Sequence, residues 1–351
     1  MRYFSLLLVL LTILACKKEE KKPQTGISKV EIQTILEDST LSIRALEILD
    51  KNSLAFAANK NTYGLYNSEA GEWLISEQAH DSLSLEFRAI ANNSEDFFML
   101  SVGNPALLFK TSNTGNMELV YKEEHEKVFY DAMKFWNKRE GIAIGDATDN
   151  CLSIIITRDG GNNWEKVPCD IKWLPDATNG AAAFAASNTN IVIKGSKTWI
   201  ATGGIVSTVL YSGDKGKTWE VFKTPIVQGI ETTGMYSMDF YDENTGFAIG
   251  GDYTKPDDNT ANKIRTMDGG KTWEIIGENQ EPGYRSCVQY VPNRDGQELV
   301  TVGFKGMDYS KDNGATWTHI SDEGFYSIRF LNDTIAYASG QGRISKLVFK
   351  R

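Results

Sequence analysis

An all-β architecture is what three recurrences along this sequence predict. The first is a turn pattern of Ser or Thr, any residue, Asp, any residue, Gly, two further residues and Trp. It is present as Thr157-Arg-Asp-Gly-Gly-Asn-Asn-Trp164, Ser212-Gly-Asp-Lys-Gly-Lys-Thr-Trp219, Thr266-Met-Asp-Gly-Gly-Lys-Thr-Trp273 and Ser310-Lys-Asp-Asn-Gly-Ala-Thr-Trp317. The second is a strand opening of one variable residue, one small residue and then mostly an apolar one: Arg44-Ala-Leu, Arg88-Ala-Ile, Asp131-Ala-Met, Gly180-Ala-Ala, Tyr236-Ser-Met, Arg285-Ser-Cys and Tyr326-Ser-Ile. The third is the filling between them: short β-rich runs such as Gly141-Ile-Ala-Ile-Gly145, Gly246-Phe-Ala-Ile-Gly250, Leu299-Val-Thr-Val-Gly303 and Ile335-Ala-Tyr-Ala-Ser339, with hardly any helical periodicity. Units of this length in series predict a seven-bladed β-propeller of four-stranded antiparallel blades, with six blades as the alternative count.

Each element has a physical reason. In the turns, Asp159, Asp214, Asp268 and Asp312 accept backbone N–H groups, the Gly supplies positive φ, and the hydroxyl closes the start. Trp164, Trp219, Trp273 and Trp317 then open the next strand with a large apolar face. The four Asp residues lie 55, 54 and 44 positions apart, and two eroded copies precede them, Thr111 to Glu118, with Asn113 in place of Asp, and Asn67 to Trp73. The small residue at each opening lets seven innermost strands crowd a common axis. The last unit has room for three strands only, while Ser28 to Leu36 is a spare strand at the other end of the chain. Pairing the two closes the ring and removes both open edges.

The N-terminal part reads differently. Phe4 to Ala15 is an apolar run preceded by Arg2 and followed by Cys16, too short to span a membrane comfortably, and it looks like a lipoprotein signal in which Cys16 is lipidated. Residues 1–16 are therefore expected to be a signal, 17–27 a charged tether and 28–351 a single propeller. The protein is expected to be exported and lipid-anchored to a bacterial envelope, at the outer membrane on its periplasmic or cell-surface side, as a monomer touching the membrane only through its lipid.

Composition excludes other classes. The formal net charge is −9, so no basic field exists to attract nucleic acid. No Cys-x-x-Cys or His-rich spacing suggests a metal, and no Gly-x-Gly-x-x-Gly follows a strand, so neither metal nor cofactor is expected. Cys151 and Cys169 flank the Thr157–Trp164 turn almost symmetrically, which would place them nearly opposite across a hairpin and predicts a disulfide. Cys287, in an apolar run, is expected to be a buried free thiol. Trp136, Trp173 and Trp199, outside the turns, are expected in the core between blades, with a sugar platform as the minority reading. Gly203-Gly204 and Gly250-Gly251 read as backbone crowding positions near the channel.

The turn pattern resembles the Asp-box of BNR-type propellers. Ser42-Ile-Arg-Ala-Leu46, Phe184-Ala-Ala-Ser-Asn-Thr-Asn190, Ile200-Ala-Thr-Gly-Gly204, Gly250-Gly-Asp-Tyr253 and Tyr337-Ala-Ser-Gly-Gln-Gly342 resemble exported bacterial propellers related to photosystem II stability/assembly factors, some of which carry the name oxidoreductase. That resemblance implies a scaffold that binds a protein or glycan partner at its rim. The candidate ligand-binding positions are the variable residues of the openings, which border the channel mouth: Arg44, Arg88, Asp131, Tyr236, Arg285 and Tyr326. Three converging guanidinium groups would take a carboxylate, sulfate or phosphate, unless local acids such as Glu47, Glu86 or Asp131 pair with them. Sialidases, with an arginine triad, a Tyr nucleophile and an Asp acid, resemble this chain in the turns and in Phe87-Arg-Ala-Ile90. They provide the enzyme alternative, although the proline of their motif is missing here. No residue is assigned a catalytic role.

Overall fold

Antiparallel hairpins follow one another in chain order, and seven groups of them form the ring. The structure is a computed structural model that describes residues 25–112, 114–148, 151–169 and 180–351. Cys16, the signal, most of the charged tether, Asn113 and Trp173 lie outside the described residues. The innermost strands are Ala45–Ile48, Phe87–Asn92, Tyr130–Phe135, Ile191–Lys194, Thr233–Phe240, Cys287–Tyr290 and Ser327–Phe330, one per blade. In blades one to six each pairs outward with three further strands in sequence order. Seven blades replace the six-blade alternative.

Blade seven closes the ring. Its second and third strands are the two arms of Ile335–Lys350, which folds back on itself so that Phe349 N–H donates to Thr334 O at 2.8 Å. The fourth strand is Lys29–Ser42, from the other end of the chain. Lys29 pairs with Lys350 at one face of the ring and Ser42 with Gln341 at the other. Ile27 is already buried against blade six, in one apolar cluster with Tyr309.

Inner strands are sandwiched between neighbouring blades on both faces, so Cys151–Thr157 and Leu299–Gly303 are buried along their whole length, whereas the outermost Glu72–Glu77 is mostly exposed. Large rings staple the blades together. Trp199 of blade four stacks on Phe240 of blade five with centroids 4.1 Å apart, and Trp136 of blade three donates its Nε1–H to Thr198 of blade four at 2.7 Å. Both therefore belong to the inter-blade core. Trp164 sets its edge to Phe98 of the preceding blade. Burying each such ring stabilises by about 1.5–3 kcal/mol.

The repeated turns join third to fourth strands, on the face where innermost strands end. Their polar groups satisfy one another. Asp214 accepts from the Ser212 hydroxyl at 2.9 Å, the Lys217 and Thr218 N–H groups at 3.0 and 2.8 Å, and the Thr218 hydroxyl at 2.7 Å. The glycine is required twice over: Gly314 has φ +83, and a Cβ there would drive into the Phe247 ring of the preceding blade.

Two expectations are corrected. The Cys151–Cys169 disulfide is absent, and both residues are unbridged thiols, as is the buried Cys287. Ile155 pairs with Lys166 and Ile156 with Glu165. Continued, that register sets Cys169 opposite Leu152 rather than Cys151, and Pro168 has no N–H to extend the ladder. The two thiols still interact: burial, followed by the contact with Cys169, pushes the Cys151 thiol up to about 12.

The second correction concerns blade four. Gly180-Ala-Ala does not open its innermost strand. Ala181–Ala182 instead pairs with Gly203–Gly204, which joins the blade-five sheet through Gly234. Gly203 is a crowding position, since a Cβ there would lie 2.9 Å from Thr233 O. The innermost strand of blade four begins at Ile191, and the segment before it plugs the channel. Asn188 donates to Ile90 O at 2.8 Å and accepts from Met133 N–H at 2.9 Å, while Ser187 Oγ donates to Ser286 O at 2.7 Å. Thr189 Oγ1 and Ser237 Oγ share a hydrogen bond at 2.8 Å, Arg329 donates to Ser187 O at 2.7 Å, and Arg44 donates to Ala186 O at 3.4 Å. Four residues, 186–189, thus touch all six other blades and divide the axis into two separate cavities.

Candidate functional site

The larger axial cavity, about 590 Å³, lies where the innermost strands begin. Local backbone irregularity aims the side chains into it. At Arg88, Asp131 and Tyr236 the pairing of first and second strands slips by one residue, between Phe87 and Ala89, Tyr130 and Ala132, and Met235 and Ser237. A bulged residue is unpaired and turns away from the sheet faces. At the third of these, Gly250 faces Met235, and a Cβ on Gly250 would collide with Gly234 O. In blades one and seven the same position falls just before the strand, at Arg44 and Tyr326.

Blades one to three form a charged half. Arg44 lies over the Tyr326 ring, 4.0 Å from its centroid, and its Nε is buried with no hydrogen-bond partner. Burial first, and Arg88 second, hold the Arg44 guanidinium below its ordinary range. Arg88 donates to Glu86 at 2.7 Å. Asp131 is 0% exposed, and neither carboxyl oxygen has a hydrogen bond of good geometry; the backbone N–H groups of Ala185 and Asp146 hold it only loosely. Burial, and then the neighbouring Asp146, push its carboxyl well above the usual carboxylate range against the pull of Arg88. Asp146 accepts from Ala183 N–H at 2.9 Å, and burial pushes it up to about 6.

Blades four to seven form an aromatic half. Phe184 and Tyr236 stack face to face at 3.9 Å, and Tyr284 sets its edge against Tyr236 at 4.8 Å. Tyr253 and Phe304, 48% and 46% exposed, form the outer rim. The Tyr236 hydroxyl donates to Thr232 O at 2.8 Å, and burial raises it far above its ordinary range, so it is no ready nucleophile. A groove of about 470 Å³ shares Phe304 and Tyr326 with the cavity and runs outward to Glu37, Ser39 and Arg343 at the ring closure.

Of the six positions read from the sequence, the structure brings Arg44, Arg88, Asp131, Tyr236 and Tyr326 together. Arg285 leaves the group. Its side chain passes over Gly303, where a Cβ would lie 3.0 Å from its Cδ, and donates to Asp308 on the third strand at 2.6 Å, with both side chains at most 4% exposed. Tyr284, one residue earlier, takes its place in the cavity. Sequence reasoning missed Asp146, Phe184, Tyr253, Tyr284 and Phe304; Phe184 and Tyr284 lie in segments that join blades, and Tyr253 and Phe304 in turns between second and third strands on the same face.

Beyond the plug, a second cavity of about 440 Å³ holds Lys134, Lys194, Asp239, Gln289 and Arg329. Most of its polar groups are internally satisfied: Lys134 meets Glu47 at 3.0 Å, and Asp239 accepts from Phe240 and Tyr290 N–H at 2.8 Å each. Among the described residues no group of three or more His, Cys, Asp or Glu could hold a metal ion.

No known protein family matches this chain by sequence, and no curated protein does. Solved structures do match in fold. YCF48 bound to D1 peptide is similar over 94% of this chain and 98% of that one, at 15% identity and a TM-score of 0.66. The RRP9 WD40 repeats match over 93% and 99%, at 14% identity and 0.63. The GH74 enzyme of Niastella koreensis matches over 89% of this chain and 53% of that one, at 12% identity and 0.61. At such identities the likeness is one of fold.

Proposed function

We propose that the chain is a binding scaffold whose mouth cavity receives an extended segment of a partner polypeptide. The observation that carries this reading is the cavity's chemistry: Arg44 with a buried, unpartnered Nε, Arg88 beside it with its Nε on Glu86, and a wall of aromatic rings that continues into an outward groove. Two guanidinium groups suit a carboxylate. Rings on the opposite wall suit an apolar or aromatic side chain. A propeller of the same fold is known with a bound peptide, and the resemblance to assembly-factor propellers points the same way. The sialidase alternative loses support, because its third arginine, Arg285, is committed to Asp308.

The proposal includes anchoring through a lipid on Cys16 in a bacterial envelope, and it rests there on the sequence. The described chain enters the fold at Thr25, beside Arg351, on the face where Lys29 meets Lys350. The mouth is on the other face. An anchor at the N-terminus would therefore present the mouth away from the membrane. Labelling with radioactive fatty acid, lost in Cys16→Ser, tests the anchor.

Binding is tested by placing a photocrosslinking benzoylphenylalanine at the exposed Phe304 of the full chain in envelope membranes. A discrete polypeptide adduct is expected, and it should vanish when Arg44 and Arg88 are both replaced by Ala. An adduct indifferent to both arginines, or capture of glycan alone, would overturn the reading.

A further inference from the structure

The arginines do not exhaust the mouth, whose least satisfied group is an acid. Asp131 is wholly enclosed, lines the cavity, and leaves both carboxyl oxygens without a well-formed partner. Asp146 stands next to it, with one oxygen held by Ala183 N–H. A buried acceptor left unmade costs folding free energy, and a fold that could have placed Ala or Ser at a bulge has placed Asp there. The charges around it point to what is missing. Arg44 from blade one and Arg88 from blade two face Asp131 and Asp146 from blade three, Glu86 beside Arg88, and Glu231 from the segment before blade five. Acids outnumber bases, so a ligand bringing only a carboxylate would complete one end of the cavity and leave the other unanswered.

We propose that Asp131 and Asp146 form a subsite for a basic side chain, lysine or arginine, of the bound polypeptide segment. The inference rests on the peptide-binding reading above and names a second requirement of the same site: the segment carries a cation as well as a carboxylate. An ammonium or guanidinium entering beside Asp131 supplies the hydrogen bonds that both oxygens lack and stabilises the ionised carboxyl. Burial raises that carboxyl in the empty site and the arriving cation lowers it again, so binding favours release of its proton. Binding is therefore coupled to proton release.

Three probes separate the two ends of the site in calorimetric titrations of the full chain in detergent: acetyl-Phe-Lys with a free carboxylate, the same peptide with norleucine in place of Lys, and acetyl-Phe-Lys-amide. The Lys acid is expected to bind at least about tenfold more tightly than the norleucine acid. The gap should close in Asp131→Asn and narrow in Asp146→Asn. The observed heat should change between buffers of different protonation enthalpy, as proton release requires. The Lys-to-norleucine comparison is made on the unaltered protein, so it holds even if a variant misfolds. Equal binding of the Lys and norleucine acids would overturn the cation subsite while leaving the arginine end intact. Equal binding of the Lys acid and its amide, with norleucine still weaker, would overturn the arginine end and support the cation subsite. Failure of all three to bind up to their solubility limits would overturn both.

Discussion

Two sets of aspartates in this ring have opposite fates. At the outer turns Asp159, Asp214, Asp268 and Asp312 are hydrogen-bonded within their own loops, and all are held below the usual carboxylate range. Burial pushes Asp214 upward, but the Thr218 hydroxyl and N–H and the Ser212 hydroxyl together bring it down to about 2. At the mouth Asp131 and Asp146 are held above that range, because burial, joined at Asp131 by the neighbouring Asp146, outweighs Arg88 and the few backbone N–H groups within reach. The repeated residues complete themselves and build the scaffold. Asp131 and Asp146 are left incomplete, and incompleteness is what a ligand can use.

The comparison is tested most severely by a residue that looked like the mouth and behaves like the scaffold. Arg285→Met takes the arginine from the buried Asp308 and leaves it only the His319 ring, 3.0 Å from its other oxygen. Breaking such a pair costs about 3–5 kcal/mol, read as a shift of the denaturant midpoint at unchanged slope. A loss under about 1 kcal/mol would mean that Arg285 is as free as Arg44.

Gly314→Ala is next. Positive φ and the Phe247 ring both oppose a Cβ there, and the expected cost is roughly 3 kcal/mol, with thermal melting as the measure. Removing the hydrogen bonds of one turn costs less: Asp214→Ala should destabilise by about 1–2 kcal/mol, since its partners are near solvent and water replaces part of what is lost.

The sign of pH dependence distinguishes the two sets without a large perturbation. A carboxyl raised in the folded state favours folding while protonated, so the contribution of Asp146 falls as pH rises from about 4 through about 6. Asp146→Asn should flatten that decline, by on the order of 3 kcal/mol. A carboxyl lowered in the folded state does the reverse, and the contribution of Asp214 disappears as pH falls from about 4 toward 2. Urea titrations across that range check both slopes.

The ring itself was legible because its turns are self-contained: Ser or Thr, Asp, Gly and Trp interact within eight residues, so sequence spacing and spatial contact coincide. The strand openings were legible for a weaker reason, since a repeated position tells where a residue sits and not where its side chain goes. Arg88, Asp131 and Tyr236 reach the cavity through bulges that the small residue after them only hints at. Arg285 carries the same signature and is drawn away by Asp308, twenty-three residues later, through a gap that only Gly303 leaves open. The plug was misread because Gly180-Ala-Ala imitates an opening, while Ser187-Asn-Thr-Asn190 replaces the apolar run that an innermost strand should carry. Tyr284 and Phe184 lie in the segments before the innermost strands and Phe304 in a turn after a second strand, so none shares the aligned repeat position and no internal comparison could find them.

The smallest expected effect on stability separates Arg44 from Arg285 most cleanly. Arg44→Met removes a stack on Tyr326 worth about 1 kcal/mol and a long hydrogen bond to Ala186 O. It also removes the cost of keeping a charged Nε in a buried position with no partner, and methionine fills much of the same apolar space. These changes offset one another, so the melting temperature should stay within about 2 °C of the parent protein. Binding of acetyl-Phe-Lys should nevertheless weaken at least about tenfold, because the lost charge served the ligand and not the fold. The same substitution at the same repeat position in blade six should destabilise the ring by about 3–5 kcal/mol without reaching the cavity. If Arg44→Met instead destabilised as Arg285→Met does, the mouth would be one more part of the scaffold.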